Sequence, residues 1–347
     1  MITELGHFAL ILGFAVSIIQ VVLARLGPGG NGPGWSAVAM PAATVQLVLV
    51  AGSFAALAMG FVRFDFSVAL VAANSDRLVA MPDRLAALWS SYEGGLLLWG
   101  LFVTLLAAVT AWTGGPRLAA RALAVQSSVA AAVLGFILFA ANPFLRLDPP
   151  PFGGAGAVVV DRGLALPLLS LGSAGLVMTF SVAVAALTAR ARDARWIRWM
   201  RAWAAASLVV LSLGIALAMP GAASGPVMSG GQQLSEWVMI GLWVIAAVLT
   251  GLAFMMKNRP ALTGWTMLVS ILGFGIALFA ALLLPPAVPA PGPAILSDPV
   301  RVSSALVIVA AFMAGAVLLF LRHRRDPGVP EMARADAVAR PGERPET

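Results

Sequence analysis

Nine stretches of this chain are apolar for long enough to cross about 30 Å of hydrocarbon as helices: 5–25, 39–62, 87–112, 120–141, 165–189, 202–219, 236–256, 261–284 and 302–321. Hydrocarbon offers no partner to a peptide N–H or C=O, so each run must satisfy its own backbone, and a helix does so within one segment. Composition agrees. Of 347 residues, 60% are hydrophobic and 11% charged, a balance that no soluble domain of this size could carry on its surface. The expected fold is all-α: a polytopic integral membrane helical bundle of about nine transmembrane helices over 1–322. A polar, proline-containing tail at 323–347 shows no apolar period and is expected to be disordered. No basic segment precedes the first run and no small-residue cleavage pattern follows it, so it reads as a retained helix.

The net charge of +7 reports topology rather than nucleic-acid binding. Most Lys and Arg lie in the odd-numbered connections and the tail, among them Arg117, Arg121, Arg190, Arg192, Lys257 and Arg259, while the even-numbered connections balance theirs with acids, as Arg63 with Asp65. The positive-inside rule then puts the N-terminus outside and the C-terminus inside. Connections 63–86, 142–164, 220–235 and 285–301 face outward. The cluster ARARDARWIRWMRAW at 189–203 sets Trp196, Trp199 and Trp203 on one helical face. It reads as a segment lying at an anionic lipid surface, with a partner-docking surface as the sharper alternative. With no cysteine, the chain has no disulfide, thiolate site or thiol nucleophile of its own. Phosphate-binding loops, dinucleotide fingerprints and nucleophile elbows are absent too.

One acid interrupts the hydrocarbon. Residues 88–99 read LWSSYEGGLLLW, with Glu93 at the mouth of an apolar run. Two readings stand: a first-turn acid stabilised by the positive end of the helix dipole, or a functional acid, the default expectation for an ionisable group set in a membrane segment. Gly94 and Gly95 would let another helix approach closely. Tyr92 can anchor at the interface or act as a ligand, and His7 is an interfacial polar residue or a ligand. Trp89 and Trp99 read as belonging to the aromatic belt and the packing face. The segment around Gln232, Gln233 and Glu236 reads as a polar connector opening on two glycines.

From Asp65 the chain runs DFSVALVAANSDRLVAMPDRLAALWSSYEGGLLLW. This resembles the CcmF-type cytochrome c haem lyases, whose helix start has the form A-x-W-x-x-H-E-G-S-L-L-L-W; Glu93, Gly94, Leu96, Leu97, Leu98 and Trp99 match. The opening TELGHFALIL, with His7, is similar to the family's amino terminus. So are ANPFLRLDPPP at 141–151, LSLGIALA at 211–218 and GWTMLVSILGF at 264–274. The resemblance covers about 1–300 and corresponds to the family's N-terminal half.

The resemblance implies a haem-handling component of cytochrome c maturation in the bacterial inner membrane, working with other maturation subunits and apocytochrome c. It also implies haem-lyase chemistry, yet the residues that would handle haem are replaced. Gln232, Gln233 and Ser235 stand where the family's tryptophan-rich signature would stack on porphyrin, and Glu236 replaces its aspartate. Ala165 stands for a histidine, Ser170 for a tyrosine, and Tyr92 for the helix-start histidine. Iron ligation asks for His, Met, Cys or Tyr. The two histidines, His7 and His323, lie at opposite membrane levels and cannot share one iron. The expectation is therefore a divergent scaffold with haem reached through partners, no intrinsic haem or metal site, and no catalytic residue to name; interaction would run through His7, Trp89, Tyr92, Glu93 and Trp99. The alternative from another class is a transporter or carrier unrelated to haem, which would need an intramembrane ionisable group or broken helices near the midplane.

Overall fold

The computed structural model describes residues 1–26, 33–114, 116–154, 164–189, 195–222, 230–255, 262–283 and 298–325. They form helices α1 (Ile2–Leu26), α2 (Pro33–Arg63), α3 (Ala69–Asn74), α4 (Met81–Ser90), α5 (Tyr92–Thr113), α6 (Pro116–Phe139), α7 (Ala165–Ala189), α8 (Arg195–Ala222), α9 (Gly230–Met255), α10 (Thr263–Leu283) and α11 (Pro299–Arg325). Nine of them are long and apolar enough to cross a membrane, in agreement with the nine apolar runs. Only α3 and α4 are too short.

Contacts between helix ends align the bundle. Thr3 at the start of α1 meets Asp65 just after α2 and Arg146 just after α6. Tyr92 at the start of α5 meets Leu282 at the end of α10, and Arg301 at the start of α11 meets Glu93. All these termini therefore share one end of the bundle, called here the near end. At the far end, Trp112 donates to Thr44 and Arg201 caps the last carbonyls of α9 at Ala253 and Phe254.

α5 and α7 form the centre, with 72% and 83% of their apolar windows buried, against 17% for α11 and 22% for α9. The outer helices turn apolar residues outward, as Val209, Leu213 and Leu217 do on α8, which suits lipid on that side. Polar side chains inside the bundle find partners in one another. Trp99 donates to the Ser173 hydroxyl at 3.0 Å, joining α5 to α7. Gln20 reaches Gln46 at 3.2 Å and accepts from Ser127, joining α1, α2 and α6. In hydrocarbon such bonds also set register, because the alternative is an unpaired polar group.

The apolar run at 87–112 is two helices rather than one. Ser91 takes extended angles (φ −71°, ψ 155°) and separates α4 from α5. Its hydroxyl donates to the Leu88 carbonyl at 2.6 Å, so the last turn of α4 keeps a partner where the ladder stops. Gly94 makes the break possible, since a methyl there would overlap the Leu88 carbonyl. The backbone that approaches the glycine pair is thus the chain's own preceding helix. α4 is tied down in turn by Arg84, whose guanidinium lies 4.1 Å from the Phe64 ring centre and donates to the Phe61 and Val62 carbonyls at the end of α2.

Two other expectations change. Gln232, Gln233 and Glu236 belong to the first turns of α9 rather than to a connector. Trp196, Trp199 and Trp203 do share a face, but that face turns into the bundle: Trp196 is 7% exposed and the other two pack against the core. Trp199 lies directly against Gly114, where any side chain would collide with its ring.

Gly94→Ala is expected to lower stability by about 1–3 kcal/mol through overpacking against the Leu88 carbonyl. Gly52→Ala, whose added methyl meets nothing within 4 Å, should leave stability unchanged or raise it by roughly 0.5–1 kcal/mol. Thermal unfolding of both variants in detergent checks the contrast.

Candidate functional site

The polar residues among the resemblance-bearing segments at 1–10, 65–99 and 141–151 gather at the near end, in two clusters. The first is built on the α4–α5 joint. Because α5 starts at Tyr92, Glu93 sits in its first turn, where unpaired N–H groups favour negative charge. Tyr92 points inward, 6% exposed, and its hydroxyl donates at 2.6 Å to the Leu282 carbonyl, one of the last in α10. Glu93 points the other way and meets the Arg301 guanidinium at 3.3 Å.

Arg301 is the residue that sequence reasoning left in a connection; it belongs to the first turn of α11. Asp298 caps that helix, accepting from the N–H groups of Val300 and Arg301 at 3.0 and 3.3 Å. The same Asp298 pairs with Nε of Arg301 at 3.3 Å, and the guanidinium lies 5.8 Å from the Tyr92 ring centre. Side-chain exposures of 28% for Arg301 and 22% for Glu93 make this more than a solvent pair. The cluster joins α5, α10 and α11 through one tyrosine and one arginine. The signal was present in the sequence: SDPVR at 297–301 has the cap-then-proline pattern of a helix start, followed by a lone cation.

The second cluster latches α1 to two connections. Asp65 accepts from the Thr3 hydroxyl at 3.1 Å and from Ser67. Arg146 donates to Ser67 at 2.9 Å and to Thr3 at 3.0 Å, and pairs with Glu4 at 3.3 Å. One turn further, the His7 ring stacks on Phe144 with centroids 5.7 Å apart and planes 13° from parallel. Asp65 therefore does not pair with Arg63, which is exposed; the positive φ of 57° at Phe64 turns the chain back on itself beyond α2. Partial burial alone would raise the Asp65 pKa. The hydrogen bonds from Ser67 and Thr3 and the charge of Arg146 outweigh it and hold the carboxyl below its usual value of 3.8.

The remaining candidates are dispersed. Trp89 is half-buried in α4, whereas Trp99 is 3% exposed in α5 at the bundle centre, so the two share neither a helix nor the belt. Ala165 is 2% exposed at the start of α7. Gln232, Gln233 and Glu236 are placed by backbone alone. His323 is in α11, twenty-two residues beyond Arg301 and so roughly 33 Å away along the axis. Among the described residues no three His, Cys, Asp or Glu converge on a metal-sized space. Tyr92 does not fit an iron ligand, because its hydroxyl proton is given to Leu282.

Known proteins resemble the chain along nearly its whole length. A cytochrome c-type biogenesis protein of Rhodobacter capsulatus is 40% identical over 332 residues, covering 92% of this chain and 50% of the relative. The cytochrome c-type biogenesis proteins CcmF of Pseudomonas aeruginosa and Escherichia coli are 32% and 30% identical over the same 92%, and 50% and 51% of their own lengths. The chain thus spans about half the length of the curated relatives it matches. No family model matches it. A solved structure, cytochrome c heme lyase CcmF, superposes with a TM-score of 0.70 over 92% of this chain and 54% of that one, at 23% identity, and so shares the fold.

A carboxyl held below its usual pKa stabilises the fold fully above the unfolded value of 3.8 and loses that contribution as pH falls through the lower folded value. The melting temperature of Asp65→Asn in detergent should therefore lie a few degrees below wild type at neutral pH, with the gap closing in acid below the ordinary carboxyl range. A gap unchanged across that range would show that the Asp65 charge does not support the latch.

Proposed function

From a chain related over 92% of its length to CcmF-type cytochrome c biogenesis proteins, of which it spans about half, we propose a membrane scaffold in cytochrome c maturation. The observation that carries this reading is convergence. His7, the Asp65–Val68 turn, the Asn142–Arg146 turn and the Tyr92–Glu93 helix start are far apart in sequence, and all lie at one end of the bundle, the first three in one cluster and the last in another. That end faces the periplasm of the bacterial inner membrane, an orientation that the excess of Lys and Arg in the opposite connections supports.

Glu93 acts there as an orienting group. Its carboxylate holds the Arg301 guanidinium at the near end, where a cation can receive an acidic group such as a haem propionate. Haem itself is supplied and ligated by partner subunits, and apocytochrome c meets this end of the scaffold. The carrier alternative draws no support from these relatives, which are named for cytochrome c biogenesis. Nor do the described spans hold a charged group near their midplane.

Glu93→Gln should lower holocytochrome c yield several-fold while the membrane level of the protein stays constant, since one partly exposed ion pair contributes only about 1 kcal/mol or less to folding. An unchanged yield would return Glu93 to a helix-dipole role. A deletion strain with normal holocytochrome c would overturn the maturation reading altogether. The purified protein should also give a pyridine haemochrome well below one haem per chain; a stoichiometric b-type signal would replace the scaffold with a chain that binds haem itself.

A further inference from the structure

We propose that the extended segment Leu145–Leu147 is a docking edge for an unfolded polypeptide, which it binds by strand addition. Among the described residues, Val68 and Arg146 form an isolated antiparallel bridge between two connections of the helical bundle. The Ala69 N–H donates to the Leu145 carbonyl and the Leu147 N–H to the Ser67 carbonyl, both at 2.8 Å. In this pattern the N–H and C=O of the bridged residues themselves point away from the pair. Val68 uses its own on the Asp65 carbonyl and the Ala72 amide. Among the described residues, the N–H and C=O of Arg146 have no partner, and residues 145–153 are exposed. An unpaired backbone edge is a template for another strand.

Two features hold the edge ready. The Arg146 side chain is anchored behind it on Ser67, Thr3 and Glu4, so the backbone is already fixed before anything binds. Leu145 and Leu147, two residues apart, lie on one face of the segment and are 60% and 38% exposed. They make an apolar shelf beside the open hydrogen-bonding pair. An incoming segment would continue the ladder that Val68 and Arg146 begin. Main-chain bonds to Arg146 would supply affinity, and the leucines would select apolar side chains at alternate positions. An extended chain can offer such an edge anywhere along its length, whereas a folded domain keeps its edges paired or covered. Identifying the segment as apocytochrome c rests on the function proposed above; the binding itself does not.

The test uses the full chain in lipid nanodiscs and a short fluorescein-labelled peptide of alternating valine and threonine, read by anisotropy. N-methylation of one alternate set of peptide amides should weaken binding about tenfold, the loss of one or two hydrogen bonds, while methylation of the other set leaves it unchanged. Leu145→Ser with Leu147→Ser should weaken binding similarly at an unchanged melting temperature. Equal effects of the two methylated sets, or equal binding to empty nanodiscs, would overturn strand addition, the latter because the attraction is then lipid. If the double variant loses peptide binding but matures cytochrome c normally, the apocytochrome assignment is overturned, whatever Glu93→Gln does.

Discussion

In hydrocarbon, a peptide group has no hydrogen-bond partner except another group of the protein, and everything else in this molecule follows from that constraint. Each apolar run closes its own ladder as a helix, so the middle of the membrane holds little except side-chain packing. Unpaired N–H and C=O groups remain only where helices end. Side chains meet these groups there: the Arg84 and Arg201 guanidinium groups on late carbonyls of α2 and α9, the Tyr92 hydroxyl on the Leu282 carbonyl late in α10, and the Asp298 carboxylate on the first amides of α11. Chemistry collects at the ends because the backbone leaves its polar groups there.

The near end shows how such contacts add up to a surface. Its two clusters are each centred on one arginine: Arg146 is held by Glu4 and by the hydroxyls of Thr3 and Ser67, and Arg301 by Glu93 and Asp298. Arg146 binds α1 to the connections after α2 and α6, and Arg301 binds α11 to the α4–α5 joint. Arginine suits this role because its planar fork serves several acceptors at once. α11, with 17% of its apolar window buried, depends on such an anchor more than α7 does at 83%. Fixed side chains in turn fix the loops between helices, so an end built of turns presents a defined shape.

The sequence was most legible where one physical signal dominated. Hydropathy placed all nine spans, and the position of Glu93 at a helix start could be read from the step between polar and apolar residues. It was least legible where two signals were superposed. The run at 87–112 was read as one span, because hydropathy averaged over a whole span hides the short polar interruption at 90–93; Gly94, against the Leu88 carbonyl, makes the break at Ser91 possible. Trp196, Trp199 and Trp203 lie among arginines and carried the mark of an interface, yet all three pack inward, Trp199 against Gly114. Arg301 was assigned to a connection because hydropathy sees the start of a span later than its cap does.

By itself, then, the sequence determined the number of spans, the acid at the α5 start and the resemblance to CcmF-type proteins, because hydropathy, caps and motif order are local properties of neighbouring residues. Only the tertiary structure decided that Arg301 belongs to Glu93, that the Tyr92 hydroxyl is spent on Leu282, and that the turns at Asp65 and Arg146 form a bridge with one open edge. Those partners are separated by about eighty to two hundred residues. No pattern along the chain records which distant groups meet; packing of the helices determines it, by bringing ends together at one level of the membrane.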